Sequence, residues 1–290
     1  MVKKQQSQPY GKPAYRSWQA LYLSFFSPKL YVDVAKRWSG YGFFYFFLMI
    51  CLLVIPAYVR IAMDFNHYFE EQVMNPIKAI PPITIRDKQF VVDKPMPYVI
   101  KNQEGKTLVI IDTTGKINTI TNHYPDLMIL ITKNKIDLRL PKLKISMFGT
   151  IPIAGDVQSL TLSAENNNEA FSGQEWIEKS HLGFLKWLCI FSMYPAFVFF
   201  PLGLFFLLMV AFVFLARVFA HVIFNMTLNF QVASRLLMVA STPVFTALFI
   251  AIATNKTIIG GNLIYVAILA VYFSYAILVV KRDRKKMVLS

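Results

Sequence analysis

At 290 residues, 56% hydrophobic and 15% aromatic, the chain is too apolar for an ordinary soluble domain. Its net charge of +14 is sorted by position: residues 60–180 hold 14 basic and 14 acidic side chains, so the excess sits on the terminal segments and beside the apolar runs. That sorting is a topology signal and an attraction to anionic headgroups, and it argues against a nucleic-acid partner.

Residues 1–38 form a basic N-terminal segment. Ser27-Pro28 reads as an N-cap followed by proline at the first helical position. From there Leu30, Tyr31, Val34, Ala35 and Trp38 share one helical face, with Lys29, Asp33, Lys36 and Arg37 on the other. Trp18, Leu21, Tyr22 and Phe25 keep a similar spacing upstream. The pattern predicts helices lying in the membrane interface, with Trp18, Lys29, Lys36, Arg37 and Trp38 as interface residues against a bilayer of anionic headgroups. The alternative is packing on the protein's own cytoplasmic face.

Residues 39–59 are the first predicted transmembrane helix, read as an uncleaved anchor. Lysines and arginines precede it and Arg60 alone follows, which places the N-terminus in the cytoplasm. Residues 60–182 then form one extracytoplasmic domain. RIAMDFNHYFEEQVMNPI extends the helix to about Pro76, and strand signals follow in ITIRDKQFVV, PYVIKNQEGKTLVIID, INTITNHYP and LMILITKNKIDLRLPKLKI. Turns are expected at Asn102–Gly105 and Asp112–Gly115. Lys135, Asp137 and Arg139 alternate with Ile136, Leu138 and Leu140, and Ala164–Gln174 reads as a loop. The domain has no cysteine and folds without disulfides; Cys51 and Cys189 fall within predicted spans as packing residues.

Residues 183–280 carry three further transmembrane helices. Trp187–Ala216 has no charged residue and exceeds the roughly 20 residues needed to span a bilayer. Pro195 and Pro201 are expected to kink it. An amphipathic segment at 217–235 follows, in which Arg217, His221, Asn225 and Asn229 recur every four residues as a polar stripe on one helix. The stripe reads either as the lining of a substrate path or helix contact, or as the wet face of an interfacial helix. The next span, Leu236–Thr254, is expected to bend at Pro243, and Asn262–Val280 is the last. A short outer turn at Asn255-Lys256 and Gly260-Gly261 joins them. Residues 281–290 form a basic tail, cytoplasmic like the N-terminus if there are four spans.

His67, His123, His181 and His221 are scattered, without ligand spacing, and no phosphate-binding loop, nucleophile elbow, CxxC or dinucleotide fingerprint is present. Glu70 and Glu71 are adjacent and so point to different helix faces. Asp112 and Asp126 fall at expected turns. The sequence points to no catalytic residue, no cofactor and no metal.

SFFSPKLYVDVAKRW before the first span, IIDTTG in the polar domain and RLLMVASTPVFTAL together resemble an uncharacterised bacterial membrane family, described as a domain of unknown function and in places labelled a maltodextrin-utilisation membrane protein. The likeness covers about Ser24 to Lys281. Arg235, Ala240 and Pro243 also resemble an element of the Yip superfamily of membrane-trafficking proteins, although the large domain between the first two spans departs from that pattern. The resemblance implies fold and topology and supplies no catalytic residues.

The expected fold is therefore an α-helical polytopic membrane protein of about four transmembrane helices, with an inserted extracytoplasmic, mainly antiparallel β domain. The expected function is that of a non-catalytic bacterial inner-membrane scaffold or accessory subunit. Its outer domain would bind another membrane or envelope protein, and self-association into a homo-oligomer is the other expected contact. The alternatives are a component of a transport system for a neutral solute and a sensor signalling through a partner.

Overall fold

A computed structural model describes residues 11–121, 123–139, 143–145, 149–151, 157–161, 170–256 and 261–289. In chain order the helices begin with α1 (Ser17–Leu23), α2 (Pro28–Lys36), α3 (Phe43–Leu53) and α4 (Ile55–Phe69). A π-helical turn (Glu70–Met74) and the short α5 (Asn75–Lys78) complete this stretch. The strands are β1 (Ile83–Arg86), β2 (Gln89–Val91), β3 (Tyr98–Lys101), β4 (Thr107–Ile111), β5 (Ile129–Ile131), β6 (Lys135–Leu138), β7 (Leu143–Ile145), β8 (Gly149–Ile151), β9 (Gln158–Thr161) and β10 (Ala170–Phe171). The remaining helices are α6 (Gly173–Ser180), α7 (Leu182–Phe224), α8 (Phe230–Ala240), α9 (Thr242–Ala253) and α10 (Gly261–Leu289). The chain divides into two compact units, Met1–Arg60 with Met193–Ser290, and Ile61–Ser192, and each has its own apolar core.

Four helical stretches among the described residues are long and apolar enough to cross a membrane: Phe43–Lys78, Leu182–Phe224, Phe230–Ala253 and Leu263–Lys286. They fit a multi-pass membrane protein. α7 runs through both Pro195 and Pro201 without interruption. Pro243 sits in the first turn of α9, just beyond the break at Ser241 that separates α8 from α9. In that position its missing N–H is harmless.

In the helical unit, α2 packs against α8 and α10, and α1 and α8 pack against α3. Leu30, Tyr31 and Val34 are fully buried in that core. Of the two readings of α2, this burial favours packing on the protein itself: its apolar face is taken up by the protein's own helices. Trp38 is buried there too, edge-on to Tyr45 at 5.6 Å between ring centroids.

The second unit contains three sheets, with orders β10-β1-β2, β3-β4-β5-β6-β9 and β7-β8. The five-stranded sheet is mixed, which corrects the expectation of a mainly antiparallel domain. β4 and β5 run parallel with Val109 opposite Ile129, while its other pairs are antiparallel. Parallel strands need a crossover, and residues 112–128 supply it. Ile117, Ile120 and Tyr124 of that crossover pack on Ile110, Leu127 and Leu130, on the side of the sheet away from the main core. Both faces of the central pair are therefore covered, and Leu108–Ile111 and Ile129–Ile131 are buried without alternation.

β6 departs from simple alternation as well. Asp137, on the polar side of the alternation, is buried and accepts hydrogen bonds from Lys135 Nζ (2.9 Å) and Ser159 Oγ of β9 (2.6 Å). Most of the loop expected over residues 164–174, and the turn expected around Gly260, lie outside the described residues.

Candidate functional site

The densest polar constellation lies in the helical unit, where two of the stretches that carried the family resemblance meet. α2 begins at the Ser27 N-cap, whose Oγ accepts the Leu30 N–H at 3.4 Å, and ends in a polar turn. Arg235, in the middle of α8, closes that end. Its guanidinium donates to the carbonyls of Ala35 (3.2 Å), Gly40 (3.4 Å) and Trp38. Next to it, Ser234 Oγ donates to the Tyr41 carbonyl at 2.7 Å. A cation at a helix C-terminus meets unsatisfied carbonyls and the negative end of the helix dipole together. That explains how an arginine only 7% exposed is accommodated without a carboxylate beside it.

Gly42 makes the close approach of α3 to α8 feasible. Its φ is +89°, and a Cβ there would stand 3.1 Å from Met238 Sδ and 3.3 Å from Arg235 Cα. One turn along, Tyr45 Oη and Thr242 Oγ1 share a hydrogen bond of 2.6 Å, which ties α3 to α9.

Asp33 is the second node. Buried on α2, it accepts the Ala14 N–H (3.0 Å), the Tyr15 N–H (3.2 Å) and Trp38 Nε1 (3.2 Å), with Arg37 at 3.4 Å. It therefore holds the strand of chain that leads into α1. Two further ties reach the last helix. Lys36 pairs with Asp283, and Lys281 Nζ donates to the carbonyl of Phe224, the final residue of α7, at 2.6 Å. The constellation is a lock: Arg235 and Lys281 are engaged with backbone carbonyls, and Lys36 and Arg37 with carboxylates.

The residues singled out from the sequence distribute unevenly over this arrangement. Trp18, Lys29 and Arg37 are exposed, whereas Lys36 is half-buried in its ion pair and Trp38 is inside. The polar stripe is not one helical face. α7 ends at Phe224, Asn225 turns left-handed at φ +48°, and Asn229 is the N-cap of α8. Arg217 instead reaches across the turn, its Nε donating to the Leu228 carbonyl at 3.0 Å, and His221 is exposed. The amphipathic segment 217–235 is thus split between two helices. Asn tolerates the left-handed conformation that ends a helix, so a four-residue spacing read straight across Asn225 misleads. No motif marks Asp33, Ser234, Tyr31 or Tyr275 as contributors; the available signals are a single acid among the cations of α2 and hydroxyls on otherwise apolar helix faces.

In the second unit, Asp112 of IIDTTG is fully buried. Its carboxylate accepts the Thr114 N–H (2.9 Å), the Thr114 hydroxyl (2.5 Å) and the Ile117 N–H (2.6 Å). Burial alone would raise this carboxyl, yet the hydrogen bonds from Thr114, Ile117 and Lys116 outweigh it and hold Asp112 below the usual carboxylate range. Its role is to shape the start of the β4–β5 crossover. At the exposed β3–β4 turn, Lys106 pairs with Glu104, and that hydrogen bond raises the ammonium pKa. No group of three or more His, Cys, Asp or Glu suited to a metal ion occurs among the described residues.

Four membrane-length helices among the described residues, with a unit of mixed sheet inserted between the first two in sequence, fit the class of multi-pass membrane proteins. The chain belongs to the family described as a protein of unknown function (DUF1189), whose pattern matches residues 18–277. No curated protein and no solved structure matches the chain.

Proposed function

We propose that this protein is a non-catalytic scaffold or accessory subunit of the bacterial cytoplasmic membrane, with both termini cytoplasmic and residues 60–182 outside, where they bind an envelope partner. The charge sorting supports the orientation: the basic excess flanks the apolar helices on the terminal segments, while residues 60–180 are electrically balanced. The exposed cations Lys29, Arg37, Arg282 and Arg284 then meet anionic headgroups of the inner leaflet.

The observation that carries the binding role is β9. It is the last strand of the five-stranded sheet, and among the described residues nothing pairs with its outer edge. All four of its residues are exposed, Leu160 at 58%. An open edge with an outward leucine is suited to receive an extended segment of another protein by strand addition. The transport alternative draws no comparable support, because the stripe that would line a path is divided between two helices.

The test places a photo-reactive amino acid at Leu160 in the full-length protein and irradiates intact cells. Affinity purification and mass spectrometry then read the adducts. One discrete, stoichiometric adduct with another envelope protein is expected. Adducts of the chain with itself alone, or no adduct, would overturn the reading.

A further inference from the structure

The turn joining α1 to α2, residues 24–27, combines an apolar exterior with polar atoms that are met from within. Ser24 Oγ donates to the Leu21 carbonyl (3.0 Å), and the Ser27 N–H to the Leu23 carbonyl (2.8 Å). Tyr31 Oη donates to the Ser24 carbonyl at 2.5 Å, and Tyr275 Oη to the Phe26 carbonyl at 3.3 Å. The next residue, Pro28, has no N–H to satisfy. A turn in water has no need of two tyrosine hydroxyls to meet its carbonyls; a turn among acyl chains does, because nothing else there can donate. Outside, Trp18, Tyr22 and Phe26 are 54%, 49% and 65% exposed.

α10 provides a depth scale for this turn. Phe25 stacks edge-on against Tyr272 at 6.4 Å, and Tyr31 against Tyr275 at 5.6 Å. Tyr272 and Tyr275 precede Lys281, the first cation of the tail, by about 14 and 9 Å of helix respectively. At its other end, α2 reaches the charged stretch through Lys36 and Asp283. α2 therefore runs alongside α10 in the same direction, with its start at the apolar level and its end among the tail charges.

We infer that the α1–α2 hairpin is re-entrant: its turn dips below the headgroups from the side of the basic tail, and Phe26, Tyr22 and Trp18 contact bilayer lipid. Lys29, exposed three residues beyond Phe26, extends its stem along the apolar zone to reach the phosphates. The feature involves the helical unit alone and stands or falls independently of any envelope partner.

Depth measurement by spin labelling tests it. Cys51 and Cys189 are replaced by serine, and a nitroxide is attached at Phe26→Cys in the full-length protein, reconstituted in phosphatidylglycerol–phosphatidylethanolamine vesicles. Tyr22→Cys serves as a second position, and Arg37→Cys and Lys285→Cys as aqueous references. Relaxation by dissolved oxygen but not by a water-soluble nickel chelate is expected at positions 26 and 22, with the reverse at 37 and 285. Chelate access at 26 and 22 matching the references would overturn the re-entrant hairpin. Loss of access to both reagents would overturn it too, by showing protein rather than lipid over this surface.

Discussion

Arg235 is the side chain on which the helical unit depends most, and the reason is its acceptors. Three carbonyls at the end of α2 and in the following turn use its guanidinium. Removing the donor leaves the buried Trp38 carbonyl and the half-buried Ala35 carbonyl unmet, at about 1.5–3 kcal/mol for charge-assisted bonds of this kind. Arg235→Gln should lower the unfolding midpoint in detergent, and Arg235→Lys should restore little, because one ammonium cannot reproduce the fork. An arginine near the start of an apolar run was visible in the sequence. What it binds was not, since a carbonyl leaves no trace in a side-chain alphabet and these lie almost two hundred residues upstream.

Asp112 makes a prediction about pH. Its carboxyl is held below the usual carboxylate range, so the unfolded chain takes up the proton first as pH falls. Its contribution is complete above the unfolded value and is lost as pH drops through the lower, folded one. Amide protection factors over residues 110–118, which remove the intrinsic pH dependence of exchange, should fall on acidification through that window in the wild type. In Asp112→Asn the same amides should have lower protection factors at neutral pH, with little further loss on acidification.

At the scale of elements, amphipathic α2 was legible and its surroundings were not, because an apolar face reads alike whether lipid or protein will cover it. The sheet carried a clearer clue. LVII (Leu108–Ile111) and LMILI (Leu127–Ile131) are unbroken apolar runs, the pattern of strands covered on both faces, and so of a parallel pair with a crossover packed over it. The turn signal at Asp112–Gly115 does not tell a tight turn from a long connection, because an aspartate turn can open either. The polar stripe failed because helical spacing is informative only while the helix lasts.

Helix packing in the second unit yields a paired prediction. α6 begins at Gly173 directly against α5, where a Cβ would stand 1.7 Å from the Ile77 carbonyl oxygen. Gly173→Ala must push backbone apart, with about 1–3 kcal/mol lost as in other overpacked sites. Gly183→Ala, near the start of α7 with nothing within 4 Å, should be neutral or gain up to about 1 kcal/mol from helix propensity. Thermal unfolding of the two variants side by side separates a steric requirement from a general intolerance of alanine.

For the whole molecule, the proposed orientation predicts a labelling pattern. With Cys51 and Cys189 replaced by serine, Glu104→Cys at the exposed β3–β4 turn should react with an impermeant maleimide in intact cells. Lys285→Cys should react only after the membrane is opened. Labelling of both in intact cells, or of Lys285→Cys alone, would reverse or break the four-span arrangement.

The closure of α2 on α10 also sets an order of events during synthesis. Leu30, Tyr31 and Val34 are made early, yet the groups that cover and tie α2 include Tyr275 and Asp283, some 245 residues later. Until the last helix leaves the ribosome, the first hairpin has only part of its seat, on α3 and α8. A nascent chain that stalls short of α10 exposes an apolar helix face that the finished protein hides, and membrane proteases could use that difference to tell incomplete copies from complete ones.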